Sequence, residues 1–201
     1  RCAELGIPSS LEMGGKDAAI VLSDCDLPRT VAGITHWALA NAGQSCGALE
    51  VVYVDAPIAD RFVAHLAQAW SRLTTTQQGV EPTKIDVGPV AHAAQFELVM
   101  RHIEDALLKG ARRVSGGPPS PASLVVPPTI LDGCTSEMDV VRDETFGPLL
   151  AIVRVDGANE AIRQINAGRY GLGVSIWTRD LARARRLAER LDVGVVDGAP
   201  G

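Results

Sequence analysis

The octapeptide NAGQSCGA, residues 41–48, surrounds Cys46 with small and uncharged neighbours. A thiolate nucleophile needs access and room for a tetrahedral adduct, and small neighbours supply both. The same composition suits a buried structural cysteine, because free cysteine is among the most buried residue types. Residues 43–47 also match GxSxG, the serine nucleophile elbow, which works only on a sharp turn from strand into helix. Here a helical pattern precedes Ser45 and a β-branched run follows, so the order is reversed and Ser45 is a poor candidate.

Two acidic segments join the cysteine. In SLEMGGKD, residues 10–17, Glu12 stands between Leu11 and Met13 and just ahead of Gly14-Gly15. A carboxylate held among apolar neighbours suits a general base, and a glycine pair lets backbone approach a ligand closely. The GGK triplet is not a phosphate loop, because the GxxxxGK[ST] spacing is missing. In RDETFGPLLAIVRV, residues 142–155, Glu144 precedes Phe146-Gly147-Pro148 and then a strand. A carboxylate there can accept hydrogen bonds from a sugar hydroxyl pair, as in dinucleotide sites. Taken singly, Glu12 and Glu144 read equally well as turn carboxylates.

Other chemistries are disfavoured. The cysteines at 2, 25, 46 and 134 form no CxxC, and the histidines at 36, 65, 92 and 102 never fall three or four apart. No metal site and no disulfide framework is expected, and reduced thiols fit a cytoplasmic protein. A net charge of −5, from 19 basic and 24 acidic residues, is a poor start for binding a polyanion. The arginine cluster at 179–190 reads as the solvated side of an amphipathic helix, with Leu181, Ala184, Leu187, Ala188 and Leu191 opposite. The longest uncharged apolar run, Ala18–Leu22, is far short of a membrane span. Neither nucleic acid nor membrane is an expected partner.

These segments need a scaffold, and 46% hydrophobic residues with 21% charged provide for a globular core. Strands are expected at Ala18–Leu22, Val51–Val54, Leu149–Val155, Val174–Trp177 and Val193–Val196, from apolar and β-branched runs. Helices are expected at Leu27–Asn41, Pro57–Leu73, Ala93–Leu108, Ala158–Asn166 and Leu181–Leu191. The first presents Val31, Ile34, Trp37, Ala38 and Ala42 at three- and four-residue steps; the second presents Phe62, Leu66, Ala69 and Leu73. Thr74–Asp86 reads as loop, and proline-rich Gly116–Pro128 as an exposed excursion. Alternating strands and helices argue an α/β fold, a mostly parallel sheet with helices on both faces, in one domain over residues 1–201.

In order and together, the motifs resemble the aldehyde dehydrogenase superfamily over essentially the whole chain. SLEMGGKD is similar to its LELGGK segment, and NAGQSCGALEVVYV to its NxGQxC and RVYV segments, with Glu12 and Cys46 34 positions apart. DVGPVAHAAQFELVMRHIEDALLKGARRVSGG resembles the GP-led helix and its GA and GG turn. VVRDETFGPLLAIVRV resembles EExFGPV, and YGLGVSIWTRD the fGLxxSIxTxD segment. The resemblance implies an NAD(P)-dependent oxidoreductase acting on an aldehyde. Cys46 would form a thiohemiacetal and then a thioester, with its own backbone N–H holding the oxyanion. Glu12 would activate the water that releases the acid. Glu144 would bind the nicotinamide ribose, Phe146 would pack near the ring, and Met13, Gly14 and Gln95 would lie near the cofactor.

Three positions depart from the pattern: Met13 for leucine, Val51 for the arginine of RVYV, and Leu98 where many members carry lysine. The resemblance also places a dinucleotide-binding domain before residue 1, with an oxyanion asparagine and most cofactor contacts, and a PFGG segment where this chain reads VVDGAPG. The expectation is therefore an isolated catalytic domain, weakly active or inactive alone, whose parent takes an aldehyde, NAD or NADP, and a homo-oligomeric state. A non-catalytic binding module of the same fold and a cofactor-free thiol esterase remain as alternatives.

Overall fold

In the computed structural model, which describes residues 1–76 and 81–199, seven strands form one sheet. They are β1 (Asp17–Val21), β2 (Leu49–Asp55), β3 (Arg112–Arg113), β4 (Thr129–Asp132), β5 (Leu149–Val155), β6 (Gly173–Trp177) and β7 (Val195–Ala199). The order is β3-β4-β5-β2-β1-β6-β7, and every neighbouring pair is parallel except β3 with β4. The central strands are buried on both faces, which is why β1, β2 and β5 read as near-continuous apolar runs.

Six α-helices cover the sheet: α1 (Leu27–Leu39), α2 (Ala56–Trp70), α3 (Ala93–Leu108), α4 (Asp139–Arg142), α5 (Ala158–Asn166) and α6 (Leu181–Ala188). Val31 and Ile34 of α1 and Phe62 and Leu66 of α2 pack with Ala19, Val21, Val52 and Val54 on one face. On the other, Val99 and Ile103 of α3, Ala161 and Ile162 of α5, and Leu187 of α6 pack with Ala18, Ile20, Val51 and Tyr53. The helix starts are capped as their sequences suggest: the Arg29 amide donates to the Asp26 carboxylate at 3.1 Å, and the Arg183 amide to Asp180 at 2.8 Å. The arginines of α6 lie mostly opposite its buried Ala184 and Leu187.

Several expectations need correction. The first helix ends at Leu39, because Asn41 and Ala42 turn left-handed (φ 53° and 56°) and throw the chain toward β2. Trp37 is not a core residue: it is 52% exposed and lines a groove with Trp177, Leu49 and Leu172. The second helix stops at Trp70, which is buried, and Leu73 packs partly buried against the same core beyond the helix end. The last strand starts at Val195, since Val193 and Gly194 form a bend, with the Gly194 amide donating to the Gly171 carbonyl. Strand β4 was not expected, its four residues following a proline pair. The segment 116–128 leaves the surface at its end, where Val125 and Val126 are buried and the Val90 amide donates to Leu124. In the 74–86 loop Thr75 bridges Val87 and the Thr74 amide donates to Asp86, while residues 77–80 lie outside the described part.

Candidate active site

Cys46 sits in the short loop between the left-handed turn after α1 and the start of β2, and its side chain is exposed. Helix comes before and strand after, so the strand-to-helix elbow that GxSxG chemistry requires is absent around Ser45. Gln44 fixes the loop from both sides: its amide nitrogen donates to Asn41 and Pro89 carbonyls, and its carbonyl accepts the Ala91 amide at 2.7 Å.

The glycine pair lies between the cysteine loop and Glu144. Gly15 faces the Cys46 carbonyl so closely that any Cβ would collide with it. Its amide donates to Glu144 Oε1 at 2.8 Å. Gly14 is left-handed (φ 73°), and a Cβ there would stand 2.6 Å from the same carboxylate. Glycine is required at both positions, by close approach at one and by close approach plus backbone at the other. Glu144 is half-buried, and its own amide lies 3.3 Å from the Tyr170 hydroxyl.

A buried polar network stands behind this surface, built around Glu50, a residue not singled out from the sequence. Glu50 is 2% exposed and pairs with Lys16, whose side chain is 6% exposed. Its two carboxylate oxygens accept the Thr145 and Phe146 amides, each at 2.7 Å. Thr145 Oγ1 bridges Lys16 Nζ at 3.2 Å and His102 Nδ1 at 3.0 Å. Burial lowers the pKa of Lys16 against the pull of Glu50. Burial, then the Lys16 charge, lowers that of His102, so the imidazole is neutral near pH 7. A charged residue within the apolar run ALEVVYV was the available signal for Glu50, since a buried charge needs a partner.

The sequence-derived residues thus divide. Gly14, Glu144 and the Cys46 loop are brought together at Gly15. Phe146 joins them through Glu50, with a left-handed backbone (φ 53°) that costs a non-glycine residue about 1–2 kcal/mol. Gln95 is drawn inward: its side-chain nitrogen donates to the Thr145 carbonyl at 2.5 Å, making it a brace of the Phe146 turn. Glu12 and Met13 are not tied to the others among the described residues. Leu11 and Met13 are 71% and 78% exposed, so the apolar enclosure expected around Glu12 is not formed by this chain. Val51 lines a cavity of about 450 Å³ together with Tyr53, Lys16, Asp143 and Tyr170, so an arginine at 51 would project into that space.

The fold agrees with comparisons to known proteins. The profile of the aldehyde dehydrogenase family matches residues 1–198. The chain belongs to that family. It is 40% identical over 194 residues to a 4,4'-diapolycopene aldehyde oxidase of Methylomonas sp, covering 96% of this chain and 36% of that protein. It is 39% identical over 204 residues to a 2-hydroxymuconic semialdehyde dehydrogenase of Pseudomonas sp. strain CF600, covering 98% and 41%. Among solved structures, the NADP complex of NADP-dependent glyceraldehyde-3-phosphate dehydrogenase from Bacillus halodurans C-125 superposes with a TM-score of 0.90 at 39% identity, over 96% of this chain and 39% of that one. The chain therefore spans about two fifths of the length of these relatives. No helix among the described residues is long and apolar enough to cross a membrane.

Proposed function

We propose that residues 1–201 form the cysteine-bearing catalytic domain of a cytoplasmic NAD(P)-dependent aldehyde dehydrogenase that oxidises an aldehyde to a carboxylic acid. The observation that carries this reading is the convergence on Gly15 of the Cys46 backbone and the Glu144 carboxylate. It sets the backbone of a residue with an exposed thiol one glycine away from a carboxylate suited to sugar hydroxyls. The residues present fit one end of a nicotinamide dinucleotide: Glu144 Oε2 is left to accept a ribose hydroxyl while Oε1 is held by Gly15. Gly14 keeps clear the space in front of that carboxylate, and Phe146 supplies an apolar surface for the ring.

Cys46 Sγ attacks the aldehyde carbon, forming a C–S bond and placing negative charge on the former carbonyl oxygen. The Cys46 amide would donate to that oxygen, a contribution of about 3–4 kcal/mol for such a donor. The cofactor, when bound, supplies the two-electron oxidant that converts the thiohemiacetal to a thioester. Glu12 then takes a proton from water as the water attacks the thioester carbon, and the Cys46 thiolate leaves. Glu12 is free to do so from an exposed, unbonded position on the segment leading into Gly14, where it gains its enclosure from the remainder of the parent enzyme.

The test uses an activated ester, which acylates the thiol without any oxidant. Incubation of the chain with p-nitrophenyl acetate should give an acetyl adduct on Cys46 by mass spectrometry. The adduct should be absent in Cys46→Ala, unaffected by Ser45→Ala and longer-lived in Glu12→Gln. Equal ester turnover by Cys46→Ala would overturn the reading. In the parent enzyme, where Glu12 is enclosed, a Glu12→Gln adduct that decays at the wild-type rate would remove Glu12 as the base.

A further inference from the structure

The Thr145–Phe146 turn is held at both of its amides and at the hydroxyl and carbonyl of Thr145. The Thr145 amide and the Phe146 amide donate to separate oxygens of Glu50. The Thr145 hydroxyl is bonded to Lys16 and His102, and its carbonyl to Gln95. Successive backbone N–H groups that close on one anion from a turn make a nest, and Glu50 is the anion here. Phe146 keeps its left-handed backbone (φ 53°) within that turn. Glu50 is also four residues beyond Cys46 on the first residues of β2, so the same strand that ends the nucleophile loop fixes the turn.

We infer that Glu50 is the positioning residue of the Phe146 turn: its carboxylate, anchored by Lys16, holds the two amides and so sets Phe146 and the adjoining Glu144 in register with the Cys46 loop. Glu50 touches neither substrate nor cofactor in this role, which rests on the proposed function only for what the register serves. The geometry demands a carboxylate. A glutamine has one acceptor oxygen, and its NH2 would face a second N–H donor while Lys16 lost its counter-charge. An alternative role for Glu50, that of neutralising a buried lysine and nothing more, makes a different forecast.

The experiment is amide hydrogen exchange at residues 145 and 146, with thermal unfolding in parallel, on wild type, Glu50→Gln and the double variant Lys16→Met/Glu50→Gln. Positioning by Glu50 requires exchange at these two amides to rise at least tenfold in both variants. Removing both charges together should meanwhile return the unfolding temperature of the double variant most of the way to wild type. The inference is overturned if the amides of Glu50→Gln exchange at the wild-type rate. It is equally overturned if the double variant recovers protection along with stability, because charge neutralisation then suffices. Should Glu50→Gln fail to fold, the double variant alone decides between the two. NADP affinity of the wild-type chain, measured alongside, bears only on the proposed function: absence of binding counts against that reading and leaves the exchange result standing.

Discussion

The Gly15 amide donates to the Glu144 carboxylate at 2.8 Å across 129 residues of sequence, while the Cα of the same glycine lies against the Cys46 carbonyl. One backbone position thereby sets the spacing between the candidate nucleophile and the candidate ribose-binding carboxylate. Gly15→Ala should destabilise the fold by about 1–3 kcal/mol, the usual cost of forcing atoms into a packed site. It should also change the alkylation rate of Cys46, because the clashing partner is backbone and cannot rotate away. Thermal unfolding and iodoacetamide labelling read the two effects separately.

The four thiols should divide sharply under alkylation. Cys2 and Cys46 are exposed, whereas Cys25 and Cys134 are buried. Burial raises the thiol pKa of Cys25 and pushes that of Cys134 up to about 12. Iodoacetamide at pH 8 should therefore modify Cys2 and Cys46 in the folded chain and leave Cys25 and Cys134 unlabelled until denaturant is added. Peptide mass mapping with and without guanidinium measures this, and uniform labelling of all four would contradict the fold.

Asp17 gives the stability a particular pH dependence. Burial, with Glu50 and Asp197 adding to it against the Gly173 amide, raises its pKa to about 6. The unfolded chain has an ordinary aspartate, with a pKa near 3.9. The native state thus prefers the protonated form, and this group's contribution is fullest below about pH 4 and is lost as pH rises through 6. Asp17→Asn keeps an acceptor for the Gly173 amide, bonded to Asp17 at 2.9 Å, without the charge. The unfolding temperature of Asp17→Asn relative to wild type should rise between pH 5 and pH 8. A constant difference would mean that Asp17 is ionised in the native state throughout.

Asp132 behaves in the opposite sense. Burial works to raise its pKa, but hydrogen bonds from Arg154 and Arg112 outweigh it and hold the carboxyl below the usual range. Arg154 contributes Nε at 3.1 Å and Nη2 at 2.9 Å, and Arg112 contributes Nη2 at 2.8 Å. Asp132→Ala should cost about 1.5–3 kcal/mol near pH 7, the range for a hydrogen bond to a charged group. A depressed carboxylate stabilises above its unfolded pKa and loses that contribution as pH falls through its native one. The difference between wild type and Asp132→Ala in chemical denaturation should therefore narrow below about pH 4.

The sheet was legible in the sequence wherever burial on both faces imposed long apolar runs. Leu149–Val155 and the helices Ala93–Leu108 and Ala158–Asn166 were read to the residue. Strand β4 was hidden because only four residues pair, they follow Pro127-Pro128, and one is Asp132, a charge made tolerable by two arginines distant in sequence. Trp37 misled for a related reason: helical spacing says which residues share a face, not how far the covering layer extends over it. For the candidate site, motif order named Cys46, Gly14 and Glu144, which the fold brings together at Gly15. It could not locate Glu50 or the inward turn of Gln95, whose roles depend on contacts 50 or more residues away.

The strand order carries a kinetic consequence. Strand β1 is made before every other strand of this sheet, and it lies between β2, its next neighbour in sequence, and β6, which begins at Gly173. One hydrogen-bonding edge of this buried strand therefore stays open until β6 has been made. Pairings of such high contact order are slow to form, and open edges recruit other chains in the meantime. A nascent chain stopped before β6 presents that edge to every neighbouring copy, so loss of soluble yield should rise abruptly for truncations on the N-terminal side of residue 173.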